Sequence, residues 1–246
     1  MDNENKSIEV WNKVLRSSLS IPGAKIDRAS FLRRELSKRC EAEQVEAAIN
    51  STPSKANIPK STTSQVAKGC IKLHLAQVTS LSFVAGLPGG WYMMGTIPAD
   101  LSQFFYQAVQ LSQKLAYIYG WPEFYTEDEL DDETILEITL FIGVMFGAQS
   151  ANKVIAELAE RISIQIAKRL PRESLTKYGL YNLAKQVAKW IGVKLTKQSA
   201  SRVASKIVPV LGGFVSGSVS YFTMRAMARR LNNHLASLPL ANQYPK

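Results

Sequence analysis

Three stretches of this chain carry no charged residue at all: Leu75 to Ala99, Ile138 to Asn152, and Ile207 to Met224. Each holds glycines four apart, Gly86 and Gly90, Gly143 and Gly147, Gly213 and Gly217. On a helix, small residues at that spacing let a second backbone approach closely, so these runs are expected at helix crossings, with Gly143, Gly147, Gly213 and Gly217 as packing positions. The first and third runs rival the ~20 residues that span a bilayer. Pro88 and the glycines break the first, however, and Pro209 with three serines dilutes the third. A buried central hairpin or shallow insertion fits them better than two clean spans, in keeping with a mean hydropathy of −0.07 over 246 residues.

The densest information lies from Ala85 to Trp121. Pro88 with Gly86, Gly89 and Gly90 forces a turn. Thr96 as cap, Pro98 in the first turn and Asp100 near the positive end of the dipole predict a helix from about Ile97. Gly120 and Pro122 should stop it near Tyr119. Its apolar stripe runs through Leu101, Phe104, Phe105, Ala108, Leu111, Leu115 and Ile118, with Gln103, Gln107, Gln110 and Lys114 on another. Asp100, Gln103 and Gln107 form the one polar cluster set in apolar sequence. They read either as a cap with interhelical amide bonds or as a ligand-facing group. The preceding loop, Gly86 to Gly95, spends Leu87, Trp91, Tyr92, Met93 and Met94 on a glycine-rich turn. Apolar side chains on such a backbone can plug the core or enter a bilayer or partner groove, and these five are the membrane-insertion candidates.

The rest of the chain reads as helix after helix. Residues 5 to 19 suggest an amphipathic arm, Asp27 caps a second helix, and a third precedes Pro53. STPSKANIPKSTTS, from Ser51 to Ser64, is the linker candidate, which divides the chain into an N-terminal arm over 1–60 and a helical body over 61–246. Cys70 and His74 share a helix face, but a metal would need two more ligands, so a buried thiol and a hydrogen-bonded imidazole are expected and no metal or cofactor is assigned. Residues 135–170 read as one long or two stacked helices. Lys177 to Thr196 has Leu180, Leu183, Ala184, Val187, Trp190, Ile191 and Leu195 on one arc and Lys185 and Lys189 pointing away, and Val208 to Leu231 reads as a closing apolar helix.

Charge is distributed unevenly along this pattern. Seven carboxylates crowd between Glu123 and Glu133, where they suit the start of the following helix. The last carboxylate is Glu173, and eleven cations follow it without compensation. Lys185, Lys189, Lys194, Lys197, Arg202, Lys206, Arg225, Arg229 and Arg230 are therefore the candidates for an anionic surface. Nucleic acid ranks below lipid, because no recognition module or aromatic-basic strand pattern accompanies the charge. The sequence holds no P-loop, zinc-protease, nucleophile-elbow or Cys-His signature, so no catalytic residue is assigned. The first residues lack the pattern of a signal peptide and two cysteines need no pairing, which points to the cytoplasm.

Several blocks resemble the EcsC family of bacterial proteins, named for a protein encoded beside an ABC transporter. They are AGLPGG, TIPADLSQ and QKLAYIYGWPE in the middle, IPGAKIDRASFLRREL (Ile21 to Leu36) before them, and LFIGVMFG, IGVKLTK and IVPVLGGFVSGSVSYFTMRAMARRL after them. Together they cover most of residues 20–235. The resemblance implies a helical fold, a membrane neighbourhood and a partner such as an ABC transporter, and lends no activity. The expectation is an all-α protein with a compact helical body and a small N-terminal arm, acting without catalysis at the inner face of the cell membrane. A membrane-perturbing effector, an enzyme on a lipid or peptide, and a soluble interaction scaffold stay open beside it, as does the oligomeric state.

Overall fold

A computed structural model describes residues 2–84, 99–125, 131–168, 181–200 and 217–244. Nine α-helices make up that part, and among the described residues there is no strand. They are α1 (Asp2–Leu19), α2 (Arg28–Leu36), α3 (Ala42–Asn50), α4 (Lys60–Val84), α5 (Ala99–Ile118), α6 (Asp132–Phe146), α7 (Gln149–Lys168), α8 (Tyr181–Ala200) and α9 (Gly217–Ser237), followed by a 3-10 turn at Pro239–Asn242.

The axis of the body is α6. Its sequence is apolar on every side, and every residue from Thr134 to Phe146 is buried. A helix without a polar face has to be surrounded, and α5, α7, α8 and α9 all pack on it. Its ends are set locally. Asp131 accepts a hydrogen bond from the Thr134 amide at 2.7 Å, and Gly147 closes the helix in the left-handed region at φ 83°. The Ala148 amide then bonds the Gly143 carbonyl at 2.9 Å, a Schellman closure.

Three buried polar side chains interrupt the greasy surface of α6: Thr134 donates to Phe124 O at 3.2 Å, and each of the other two serves a core tryptophan. Trp11 of α1 donates its indole N–H to Thr139 Oγ1, and Trp121 donates to Glu137 Oε1, both at 2.8 Å. A buried indole needs such an acceptor, and a buried carboxylate needs such a donor. The two rings also meet Phe105 and Phe141 edge-on at 5.1 and 4.9 Å. In this way α1 and the end of α5 are keyed to one central helix.

The expected arm is consequently part of the body. Trp11, Leu15 and Leu19 belong to the same continuous core as Phe141 and Leu231. Gly192 of α8 allows this: a Cβ built there would stand 1.9 Å from the Ser7 carbonyl oxygen, so backbone meets backbone at the α1–α8 crossing. The loop after α1 is held by amide side chains of α5: Gln110, of the expected stripe, donates to Gly23 O, and Gln113, outside it, donates to Ala24 O at 2.8 Å and accepts from the Ile26 amide at 3.0 Å.

The Ser51–Ser64 segment also differs from the expected linker. Thr52 and Ile58 are fully buried, and Ser54 donates to Leu240 O at 2.9 Å, joining the segment to the end of the chain. The hydroxyls of Ser51, Thr52, Ser54 and Thr63 have partners inside the protein, which a solvated linker would not offer them. Elsewhere the expected and observed elements coincide closely. Asp27 caps α2 through the Ser30 amide at 2.7 Å, and Gly120, at φ 92°, ends the turn after α5. The residues expected as one long or two stacked helices are two, divided at Gly147. The last helix is described only from Gly217 and runs six residues beyond Leu231; the expected start near Val208 lies outside the described residues.

Candidate functional site

Two groupings of side chains bear on function: a buried polar row between α4 and α5, and the cationic faces of α8 and α9.

The row has fully buried His74 at its centre. Its Nδ1 lies 2.7 Å from Gln107 Oε1 and its Nε2 lies 2.9 Å from Lys114 Nζ. An amide oxygen can only accept and an ammonium can only donate, so the imidazole is neutral with its proton on Nδ1. Burial, seconded by the charge of Lys114, depresses the His74 pKa to about 4, against the upward pull of Gln107. Burial also lowers the pKa of Lys114. One turn before His74, burial pushes the Cys70 thiol up to about 11, so it stays protonated and unreactive. Both imidazole nitrogens are occupied, and no group of three or more metal-ligating side chains is assembled among the described residues.

The row makes acid stability a direct readout. An unfolded chain protonates His74 below about pH 6.5, whereas the folded protein refuses that proton until about pH 4. Stability contributed by neutral His74 is thus complete above pH 6.5 and is lost as pH falls toward 4, about 3 kcal/mol in all. Urea unfolding from pH 7.5 to 3.5 should show a smaller loss for His74→Leu than for the wild type. Equal losses in the two proteins would refute this assignment.

The ligand-facing candidates resolve unevenly. Asp100 stands in the first turn of α5, and its side chain lies outside the described residues; Gln103 is half-buried. Gln107 is buried, and its oxygen is engaged by His74 inside the helix pair. Its place is interhelical packing, the alternative that its surroundings of apolar sequence left open. Leu87, Trp91, Tyr92, Met93 and Met94 lie outside the described residues.

The glycines separate into distinct roles. Gly143 is buried where α6 meets α7 and α8, and a Cβ there would come within 2.5 Å of Val187 Cγ1 and 2.8 Å of Ala151 Cβ. Gly147 is exposed and terminates α6, so it is a cap and not a crossing residue, because only its left-handed backbone closes the helix. Gly213 lies outside the described residues, as do the surroundings of Gly217, the first residue of α9. Gly192, the tightest approach among the described glycines, stood in no glycine pair and was not anticipated.

Of the surface cations, Lys185, Lys194, Arg225, Arg229 and Arg230 are exposed and Lys189 is half-buried. The side chains of Lys197, Arg202 and Lys206 lie outside the described residues. On α8, Lys185 sits over Tyr181 at 4.5 Å and Lys194 over Trp190 at 3.8 Å from the ring centroids. Lys194 has its pKa lowered by burial and then by the charge of Arg230, which brings the two helices' cations into one electrostatic neighbourhood. Arg230 also donates to Met145 O at 3.2 Å, closing the C-terminal end of α6. On α9, Phe222 is 64% exposed. The expected apolar arc of α8 is buried at Ala184, Val187, Ile191 and Leu195, while Leu183 reaches solvent.

No described helix is long and apolar enough to cross a membrane. Comparison of the chain with protein-family models, with curated proteins and with solved structures returns no match.

Proposed function

We propose that this protein is a non-enzymatic helical component that works against the anionic inner surface of a bacterial cell membrane. The observation that carries the reading is the pair of helices α8 and α9. They present exposed Lys185, Lys194, Arg225, Arg229 and Arg230 from a part of the chain that has no carboxylate after Glu173. Among the described residues neither Arg225 nor Arg229 forms an ion pair. Cations held at the surface without acidic neighbours attract anionic headgroups, each by about 1 kcal/mol close to the surface. The EcsC-like blocks support the same membrane neighbourhood and make a membrane complex such as an ABC transporter the partner to seek. The shielded thiol of Cys70 and the fully engaged imidazole of His74 favour a binding role over catalysis.

Flotation with vesicles tests the proposal. Recovery with anionic vesicles at low salt should far exceed recovery with neutral vesicles, and should fall at high salt as the charges are screened. Equal recovery under all four combinations of lipid and salt would exclude it.

A further inference from the structure

The apolar side chains that α8 and α9 leave in solvent identify which helix touches lipid. Phe222 is 64% exposed, more than any other large apolar residue among those described. Arg225, Ala226 and Arg229 follow it at i+3, i+4 and i+7, and all three are exposed. At that spacing they form one row with Phe222, about 10 Å long at 1.5 Å per residue. The opposite side, with Thr223, Met224, Met227, Ala228 and Leu231, is buried. Tyr221 meets the Phe222 ring edge-on at 5.5 Å, which holds the aromatic end of the row in place.

The other exposed apolar residues sit in different company. Ile164 on α7 shares its row with Glu157, Glu160 and Arg161, and the Arg161 guanidinium is paired with Glu157 at 2.7 Å, which leaves the row no net positive charge to offer an anionic surface. Leu73 on α4 has Gly69 and Ala76 along its row and exposed Lys72 beside it, an aliphatic side chain and a single ammonium without a guanidinium fork. Leu183 on α8 is only 36% exposed, and farther along that row Lys194 lies against the face of Trp190. Among the described residues, only the α9 row combines an open aromatic ring with two exposed guanidinium groups.

From this arrangement, and resting on the surface reading above, we infer that α9 is the membrane anchor: it lies parallel to the bilayer, with Phe222 at the boundary of headgroups and acyl chains and Arg225 and Arg229 on lipid phosphates. Both parts of the row need the same partner. An aromatic ring gains by leaving water for an apolar layer, and a guanidinium takes phosphate oxygens with two parallel donors. An anionic bilayer offers the two environments side by side along one plane, and long arginine side chains span the few ångströms between them. A nucleic acid would satisfy the arginines and leave the ring to stack on a base.

Binding to vesicles containing phosphatidylglycerol, compared with vesicles of phosphatidylcholine alone, separates the contributions. The proteins are the wild type, Phe222→Ser, and Arg225→Gln with Arg229→Gln. Because all three positions are exposed, folding should be intact, and circular dichroism with thermal unfolding verifies it. Phe222→Ser should weaken binding to anionic vesicles about tenfold at both low and high salt, since apolar transfer is not screened. The double arginine variant should weaken binding by a comparable factor at low salt and little at high salt. Unchanged binding by Phe222→Ser, with the wild type still bound, would overturn α9 as the anchor and leave the surface reading standing. A wild type that binds neither vesicle, or binds a single-stranded oligonucleotide and no vesicle, would overturn both.

Discussion

Replacing Gly192 by alanine should cost the protein about 3 kcal/mol, although alanine is the better helix former. A Cβ at this position falls 1.9 Å from the Ser7 carbonyl oxygen and 2.6 Å from its carbonyl carbon. Neither atom can swing aside as a side-chain end would, because both are backbone of α1. The helices have to part by more than an ångström, and the parting reaches Trp11 and its bond to Thr139, one turn farther along α1. Overpacking a core ordinarily costs about 1–3 kcal/mol, and a clash between rigid backbones belongs at or above the top of that range. Helix propensity returns about 1 kcal/mol of the loss. Gly69→Ala is the matched control, since a Cβ there meets nothing within 4 Å and only the propensity gain should remain. Urea unfolding of the three proteins gives the comparison, and a Gly192→Ala protein as stable as the wild type would show that α1 does not dock on α8 as described.

The contrast between Gly192 and the glycine pairs shows what sequence spacing conveys. Glycines four apart marked Gly143 and Gly147 alike, yet the first is buried at a helix crossing and the second ends the helix in a left-handed turn. Spacing registers the absence of side chains; whether a partner helix occupies the gap depends on the rest of the fold. Gly192 stands alone in its sequence, so the closest backbone contact among the described glycines left no mark. Caps and stops behave differently, because they are local: Asp27 and Gly120 act within a few residues of themselves and were assignable from neighbours in sequence, whereas the capping Asp131 was legible only as one carboxylate of the acidic run before α6.

The same distinction governs the polar residues. The amide stripe of α5 was visible, but His74 as the acceptor for Lys114, Gly23 O and Ala24 O as acceptors for Gln110 and Gln113, and Leu240 O as the acceptor for Ser54 are all long-range bonds. Without them the hydroxyl-rich run from Ser51 to Ser64 has the composition of a linker. The cations of the last third were countable residue by residue. The exposure of Phe222 was not, because it lies in the uncharged run from Ile207 to Met224, and the buried side of α9 is chosen by α4 and α6, which pack against it.

The second large effect is expected at Arg28, where replacement by methionine should cost about 3–5 kcal/mol. This residue is only 8% exposed, and its guanidinium bonds four carbonyls: Trp121 O at 2.9 Å, Ile49 O at 2.6 Å, Ala48 O at 3.2 Å and Ser51 O at 2.9 Å. Three of these belong to the C-terminal end of α3 and the residue after it, where carbonyls lack helical partners and the dipole favours a cation. The fourth joins that end to the turn after α5. The backbone of Arg28 adds a bond from its amide to Glu123 Oε2 at 2.7 Å, and Tyr117 donates to the other oxygen of that carboxylate at 2.5 Å. A methionine fills much of the same volume, so the loss measures polar groups left unpaired more than a cavity. Lysine keeps the charge but gathers its donors at one nitrogen and has a shorter overall reach, and it should recover less than half of the loss because it cannot span four carbonyls arranged around a planar fork. Guanidinium chloride unfolding of Arg28→Met and Arg28→Lys, followed by tryptophan fluorescence, provides the test. A methionine variant within 1 kcal/mol of the wild type would mean that α2, α3 and α5 are held together by their apolar contacts alone.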